Sequence, residues 1–460
     1  MHLFAPDDPR PVHFMGVAGA GMSALALMAR RRGVAVTGCD TDPSGAADVA
    51  AAGGRVVAGH DPDHVAGARA VVYTAAVPPD HLELRAARAL GIPVIRRADA
   101  LQELVQGARV VAVAGTHGKT TTTVMVTEAL EAAGLDPTGL AGGRVAAWGG
   151  NARLGGDQLY VVEADEYDKA FLSLKPTTAV VSNVEADHLE CYGSLAALEA
   201  AFAEFAAPAA RVLVGADDAG AQRVAAKLDA SQVWRVGFST EADLRITDVV
   251  RDPSGTRAAL TLPDGGVQPF RLRVPGVHNV RNAAMALAVA VALDADAARA
   301  AEALAAFGGV GRRFELVGQA RGVTIVDDYA HHPSEVAATL AAARQRFPDA
   351  RLVAVFQPHL YSRTRAHADA FGVTLSLADV VVVTEIYAAR EQPIRGVSGR
   401  QVAQAAETAG AEVHWVPDRG RLAERVAEVV RDGDVVLTLG AGDITRVGRE
   451  LLDRLTGRAA

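Results

Sequence analysis

Val110-Val111-Ala112-Val113-Ala114-Gly115-Thr116-His117-Gly118-Lys119-Thr120-Thr121-Thr122-Thr123 is a short apolar run that passes through two glycines into Lys-Thr. Val110 to Ala114 reads as a buried strand, and Gly115 and Gly118 let the backbone turn its N–H groups inward. A helix opening near Lys119 then presents its positive dipole end to whatever lies in the loop. That is the architecture of a phosphate-binding loop, with Lys119 reaching the β- and γ-phosphates and the Thr120 hydroxyl on Mg²⁺. Position 113 is Val where the strict pattern has glycine, so the loop is a shortened variant. A plain strand-to-helix turn explains the glycines but leaves Lys119 and Thr120 without a role.

The bulk properties set the frame. A chain of 460 residues exceeds one ordinary core and suggests about three domains. Half of its residues are hydrophobic, 22% are charged, and no apolar run approaches the ~18 residues of a membrane span. Met1 to Pro11 holds Asp7 and Asp8 and no apolar core, so a cytoplasmic protein without membrane insertion is expected. The net charge of −8 argues against a nucleic-acid surface. Cys39 and Cys191 are the only cysteines, far apart, and their spacing supports neither a disulfide framework nor a zinc site.

Upstream, a strand over Val12 to Val17 runs into Gly19-Ala20-Gly21-Met22-Ser23-Ala24, a G-x-G-x-x-A turn opening a helix that reaches Gly33. A second strand, Ala35 to Cys39, ends at Asp40, where a carboxylate can take ribose hydroxyls. A nicotinamide cofactor and any other pyrophosphate-linked nucleoside fit this turn equally. Strands at Ala70 to Thr74 and Pro93 to Arg96, with a helix over Asp80 to Leu90, complete a first domain at residues 1–106.

In the central domain, residues 107–309, the helix after the phosphate loop ends near Gly134. Gly139 to Gly156 is glycine-rich and without periodicity, which reads as a loop serving a site. The strand at Tyr160 to Val162 ends in Glu163-Ala164-Asp165-Glu166-Tyr167-Asp168. Glu163 follows the apolar run directly and is the metal candidate; the later carboxylates read as a solvated acidic loop. The next strand, Thr178 to Asn183, delivers Glu185-Ala186-Asp187-His188, and His188 joins the candidate ligands. Asn279 and Asn282 share one face of a helix beginning near Pro275, where they either contact a nucleotide or cap the helix.

Gly311-Arg312-Arg313-Phe314-Glu315 opens the third domain, residues 310–460. Strands near Thr324 to Asp328, Leu352 to Gln357, Val380 to Glu385, Glu412 to Val416 and Val435 to Leu439 alternate with helices, an α/β parallel-sheet pattern. Two of them end in polar clusters, Asp327 to Pro333 and Gln357 to Arg365.

Taken in order along nearly the whole chain, the phosphate loop, Glu163 to Glu166, Glu185 to His188, His278 to Asn282, Asp327 to Pro333 and Phe356 to His359 resemble the Mur ligases of peptidoglycan precursor synthesis. The resemblance implies three α/β domains: a Rossmann-like first domain, a central P-loop ATPase-like domain and a Rossmann-like parallel-sheet third domain. It implies an ATP- and Mg²⁺-dependent ligase that activates a carboxylate as an acyl phosphate and forms an amide. The motifs match best the branch that joins L-alanine to the lactyl carboxylate of UDP-N-acetylmuramate. By that match Gly19, Gly21, Met22, Asp40 and His60 bind the sugar nucleotide, with Ala75 where a serine is common. Gly115, Thr116, His117, Gly118, Lys119, Thr120, Thr121, Asn279, Asn282, Arg313 and Asp328 bind ATP; Thr120, Glu163 and His188 hold the metal.

Lys119, Glu163, His188 and Arg363 are the implied catalytic set, and Tyr329, His331, His359 and Arg363 the amino-acid pocket, with Leu360 where some relatives carry arginine. No lysine lies between Lys175 and Lys227, so no carbamylated-lysine metal ligand is expected. Closure about Gly308 to Gly311 and a monomer or homodimer are further expectations. The neighbouring alternatives are a recycling ligase that uses a whole tripeptide and a folylpolyglutamate-type ligase, which lacks the first domain. An NAD-dependent oxidoreductase would leave Lys119, Thr120 and Glu163 idle, and a non-catalytic nucleotide switch would explain the loop alone.

Overall fold

The computed structural model describes residues 3–389 and 391–457; Met1 and His2 of the N-terminal stretch, residue 390 and residues 458–460 lie outside them. Three sheets carry the chain. The first holds β1 (Val12–Met15), β2 (Val36–Asp40), β3 (Arg55–Ala58), β4 (Ala70–Tyr73) and β5 (Val94–Arg96), all parallel, in the order β3-β2-β1-β4-β5. The order reverses beside β1, so a crevice opens beyond its carboxyl end, where Gly16 to Gly21 stand. β3 carries no strong sequence signal because it is an edge strand with no fully buried residue.

The second sheet has ten strands: β6 (Arg109–Ala114), β7 (Thr138–Val145), β8 (Gly150–Arg153), β9 (Leu159–Glu163), β10 (Thr178–Val181), β11 (Arg211–Gly215), β12 (Val233–Gly237), β13 (Leu244–Asp252), β14 (Gly255–Thr261) and β15 (Val267–Leu272). Their order is β15-β14-β13-β12-β11-β10-β6-β9-β7-β8, with β6 parallel to both neighbours. Covered on both faces, β6, β9 and β10 are continuous apolar runs rather than alternating ones.

The glycine-rich stretch 139–156, expected as a loop, is instead the hairpin β7/β8 at the sheet edge. Its strands lack apolar alternation because small residues let other groups approach. A Cβ at Gly142 would lie 2.7 Å from both Glu163 carboxylate oxygens. The helix Ala20–Arg31 of the first domain packs on this hairpin, and Asn151 Nδ2 donates to Ser23 Oγ at 2.9 Å.

The third sheet comprises β16 (Glu315–Ala320), β17 (Val323–Asp328), β18 (Leu352–Phe356), β19 (Val380–Val383), β20 (Glu412–Trp415) and β21 (Val435–Leu439), ordered β16-β17-β21-β18-β19-β20. All are parallel except the edge strand β16, which the sequence pattern did not reveal. The chain divides into two compact units. One runs to Val249 and adds Ala258–Arg271 and Arg281–Phe307; the other holds Val250–Arg257, Leu272–Val280 and the chain from Gly308 onward.

Candidate active site

In the first unit, β6 ends at Ala114 and the helix Lys119–Ala132 begins with Gly118 as its N-cap and no side-chain cap, leaving its first N–H groups available for an anion. Gly115 has φ +141°, and a Cβ there would sit 2.1 Å from Ser182 Oγ, so only glycine fits. The segment after β10 braces the loop. Thr116 N donates to Asn183 O at 3.0 Å, His117 N donates to Asn183 Oδ1 at 2.8 Å, and Glu185 N donates to Thr116 Oγ1 at 2.9 Å. His117 Nε2 lies 3.2 Å from Glu185 Oε2. Asn282 backs the loop, its Oδ1 2.9 Å from where a Gly118 Cβ would stand.

Lys119 Nζ donates to Gly115 O at 2.8 Å and pairs with Glu166 at 2.7 Å. Burial works against its charge, but Glu166, Asp165 and Glu163 outweigh it, and the ammonium pKa is raised. Glu166 is therefore not part of a solvated loop, as the sequence suggested; it is 1% exposed and neutralises the loop lysine. No sequence signal separates it from its acidic neighbours, because only the turn after β9 directs it inward.

Glu163, at the end of β9, accepts from Thr120 Oγ1 at 3.0 Å and from Gly142 N at 2.6 Å. Thr120 and Glu163 thus converge as hard oxygen donors, the donor type that suits Mg²⁺. His188 has φ +52°, lies beside Asp187 and Glu190 and meets the Tyr167 ring edge-on at 5.2 Å. Among the described residues no hydrogen bond joins it to Thr120 or Glu163.

A cavity of about 320 Å³ links this acid to the first domain's glycine turn. Gly16, Gly19, Gly21, Met22 and Arg97 of the first domain line it together with Gly142, Glu163 and Asp165. The helix Ala20–Arg31 also starts without a side-chain cap. Arg97 crosses that start, its Nη1 2.6 Å from where a Gly21 Cβ would stand, and lies 3.8 Å from Asp165. Arg97 was not singled out in the sequence, since a lone arginine after a strand has no pattern. Asp40 and His60 lie outside the cavity lining. Asp40 also braces the turn, accepting from Ala18 N at 3.1 Å, and half-buried His60 contacts the buried Cys39 and Glu83.

In the second unit the site lies at the carboxyl ends of β17, β21 and β18, which are neighbours. Asp328 is buried, accepting from Phe314 N and Ala330 N, each at 2.8 Å. Burial pushes its carboxyl up to about 6 despite the nearby Arg313. Arg312 and Arg313 both lie 4.9 Å from the Tyr329 ring centre, and Arg312 also pairs with Asp327 at 3.0 Å. Tyr329, His331 and His359 form a chain of ring contacts at 5.1 and 5.7 Å. Buried Arg363 places Nη1 3.3 Å from His359 Nδ1.

Leu360 is 5% exposed, so it packs rather than lines a polar wall. The loop after β21 was not anticipated: Gly440 O accepts from Arg312 at 2.7 Å, and Asp443 accepts from Gln357 at 2.8 Å. Asn279 Nδ2 donates to Pro275 O at 2.7 Å, a local bond across the start of the helix Val277–Ala292.

Three family models match in succession: Mur ligase family, catalytic domain, over residues 11–109; Mur ligase middle domain over 113–290; and Mur ligase, glutamate ligase domain, over 312–442. The chain is 45% identical to the UDP-N-acetylmuramate–L-alanine ligase of Cutibacterium acnes, covering 100% of this chain and 99% of that one. It is 47% identical to the enzyme of the same name from Kineococcus radiotolerans, over 97% and 96%. Among solved structures, UDP-N-acetylmuramate-alanine ligase from Thermotoga maritima superposes with TM-score 0.84 at 29% identity, covering 98% of this chain and 100% of that one. A murein peptide ligase from Psychrobacter arcticus, with the same coverage, gives 0.76 at 26%. With the phosphate loop, its acidic partner strand and the glycine turn all in place along a full-length match, the chain belongs to the Mur ligase family.

Proposed function

We propose that the protein joins L-alanine to the lactyl carboxylate of UDP-N-acetylmuramate at the expense of ATP, in the cytoplasm, as a step in peptidoglycan precursor synthesis. The observation that carries this reading is a cavity running from the uncapped helix at Gly19–Gly21 to Glu163, the acid that accepts from Thr120 at the start of the phosphate-loop helix. A diphosphate on the helix N-terminus and Arg97 leaves the sugar end of the same ligand directed at the acid that neighbours the ATP phosphates.

The reaction has two steps. The carboxylate oxygen attacks the γ-phosphorus of ATP and ADP leaves; the amine then attacks the acyl phosphate, phosphate departs with the C–O bond electrons, and the amine proton is released. Both steps gather negative charge, so the chain's task is to hold fixed cations and N–H dipoles around it. Lys119 and the loop N–H groups take the phosphates, while Asn282 fixes the loop from behind. Thr120, Glu163 and His188 would hold Mg²⁺, which supplies charge neutralisation between carboxylate and phosphate. In the second unit Asp328 and Arg313 take the nucleotide's ribose and phosphate side, and Tyr329, His331, His359 and Arg363 receive the amino acid.

The test is ADP release with ATP, Mg²⁺ and UDP-N-acetylmuramate, comparing no amine, L-alanine, glycine, L-serine and the cell-wall tripeptide. ADP formed only with the sugar nucleotide and fastest with L-alanine supports the reading. A tripeptide preference assigns the recycling reaction instead, and no turnover with any amine refutes the ligase.

A further inference from the structure

On the face of the first sheet opposite the helix Ala20–Arg31, the helix Leu82–Ala89 covers Met15 of β1 and Cys39 of β2. His13, two residues before Met15, points to the same side. His13, Cys39 and Glu83 are 1%, 0% and 0% exposed, and one donor atom from each lies within 4.8 Å of the others. Cys39 Sγ is 3.4 Å from His13 Nε2, 3.2 Å from Glu83 Oε2 and 3.3 Å from His60 Nδ1, and His60 Nδ1 is 3.2 Å from Glu83 Oε2.

We propose that this cluster is a binding site for one thiophilic divalent metal ion of the Zn²⁺ class, with Cys39, His13, Glu83 and His60 as its ligands. A tetrahedral ion with ligands at about 2.0–2.3 Å has ligand-to-ligand edges of about 3.3–3.6 Å. The four contacts among Cys39, His13, Glu83 and His60 given above, 3.2–3.4 Å, are close to those edges, and His13, Cys39 and Glu83 offer donor atoms within 4.8 Å of one another.

The surrounding groups orient the donors as metal ligands require. His13 Nδ1 is engaged by Thr37 Oγ1 at 2.9 Å, which directs Nε2 toward Cys39. Glu83 Oε1 takes His64 Nδ1 at 2.8 Å and Asp61 N at 3.0 Å, leaving Oε2 to face Cys39 and His60. Glu83 is fully buried, and among the described residues no lysine or arginine pairs with it. On metal binding the Cys39 thiol gives its proton to solvent, and the two resulting negative charges balance the ion. The ion would tie β1, β2, the turn after β3 and the helix Leu82–Ala89 together. Cysteine spacing could not reveal such a site, because it uses one cysteine and donors from four separate segments.

The experiment uses the full chain, stripped of metal, with Mg²⁺ in excess to fill oxygen sites, titrated with Co²⁺ as a spectroscopic probe and then with Zn²⁺. One equivalent of Co²⁺ is expected to give a near-ultraviolet thiolate-to-cobalt band that Zn²⁺ abolishes. Cys39→Ser should remove the band and weaken Zn²⁺ binding at least 10-fold. Thr37→Val, which only releases His13 Nδ1, should keep the band and weaken binding about 10-fold. Bound Co²⁺ without a thiolate band, no binding at all, or unchanged Zn²⁺ affinity in Thr37→Val overturns the proposal. Should Cys39→Ser fail to fold, the wild-type band and the Thr37→Val affinity decide.

Discussion

Replacing Gly142 with alanine separates folding from catalysis. Gly142 is not among the residues with positive φ, so the backbone accepts alanine without strain. The new Cβ would lie 2.7 Å from both oxygens of Glu163, and the same residue's N–H donates to Glu163 Oε2 at 2.6 Å. Ordinary van der Waals contact begins near 3.4 Å, so the carboxylate must retreat by about 0.7 Å or swing away. Because a carboxylate at the end of a flexible side chain yields easily, the stability cost should stay within about 1 kcal/mol. The functional cost is larger. Losing a hydrogen bond to a charged group is worth about 1.5–3 kcal/mol, and a 1 Å misplacement of a catalytic group costs about 10²-fold. Gly142→Ala should therefore lower kcat/KM for ADP release about 10²-fold and raise the Mg²⁺ requirement about 10-fold, with near wild-type Tm. Wild-type turnover at limiting Mg²⁺ in the folded variant would refute the assignment of Glu163 to the metal.

Three further outcomes follow from the same geometry. Lys119→Met should abolish turnover and cost about 3–5 kcal/mol of stability in urea unfolding, because Glu166 is left buried and unpaired. The double variant Lys119→Met/Glu166→Gln should recover most of that stability without recovering activity; no recovery would show that the ion pair is not the source of the loss. Arg97→Ala should raise the Kd of the sugar nucleotide about 10-fold by calorimetry and leave the ATP Kd unchanged, since Arg97 lies against the first-domain turn and, among the described residues, makes no hydrogen bond or ion pair with the phosphate loop. Asp328, raised from 3.8 to about 6, keeps in the folded state a proton that the unfolded chain loses at lower pH. Its contribution is full below pH 3.8 and is lost as pH climbs through 6. The gap is worth about 3 kcal/mol, and Asp328→Asn should flatten that part of the stability profile between pH 4 and 7.

What could be read from the sequence was what is local along the chain. β6 and its loop were legible because a buried parallel strand is a continuous apolar run and because Lys119 and Thr120 occupy fixed offsets from the glycines. Glu163 was legible because it ends such a run. Its neighbour Glu166 was not, since a turn decides whether an acid faces solvent or a buried ammonium, and four carboxylates in six residues look alike beforehand. The hairpin β7/β8 was misread for a related reason: its glycines are set by what approaches them, the Glu163 carboxylate at Gly142 among others, and not by a turn in their own backbone. Asp40 stands at the offset expected for a ribose ligand, and its contact with Ala18 N, which braces the glycine turn, carried no signal in the sequence. The parts of the site that escaped the sequence, Glu166, Gly142, Arg97 and the loop at Gly440, all act on a residue of another segment. On the proposed reading the segments that bear visible motifs would receive the substrates' charge, and those that bear none would fix where that charge can sit, which is why a change as small as one methyl group at Gly142 is expected to reach the chemistry.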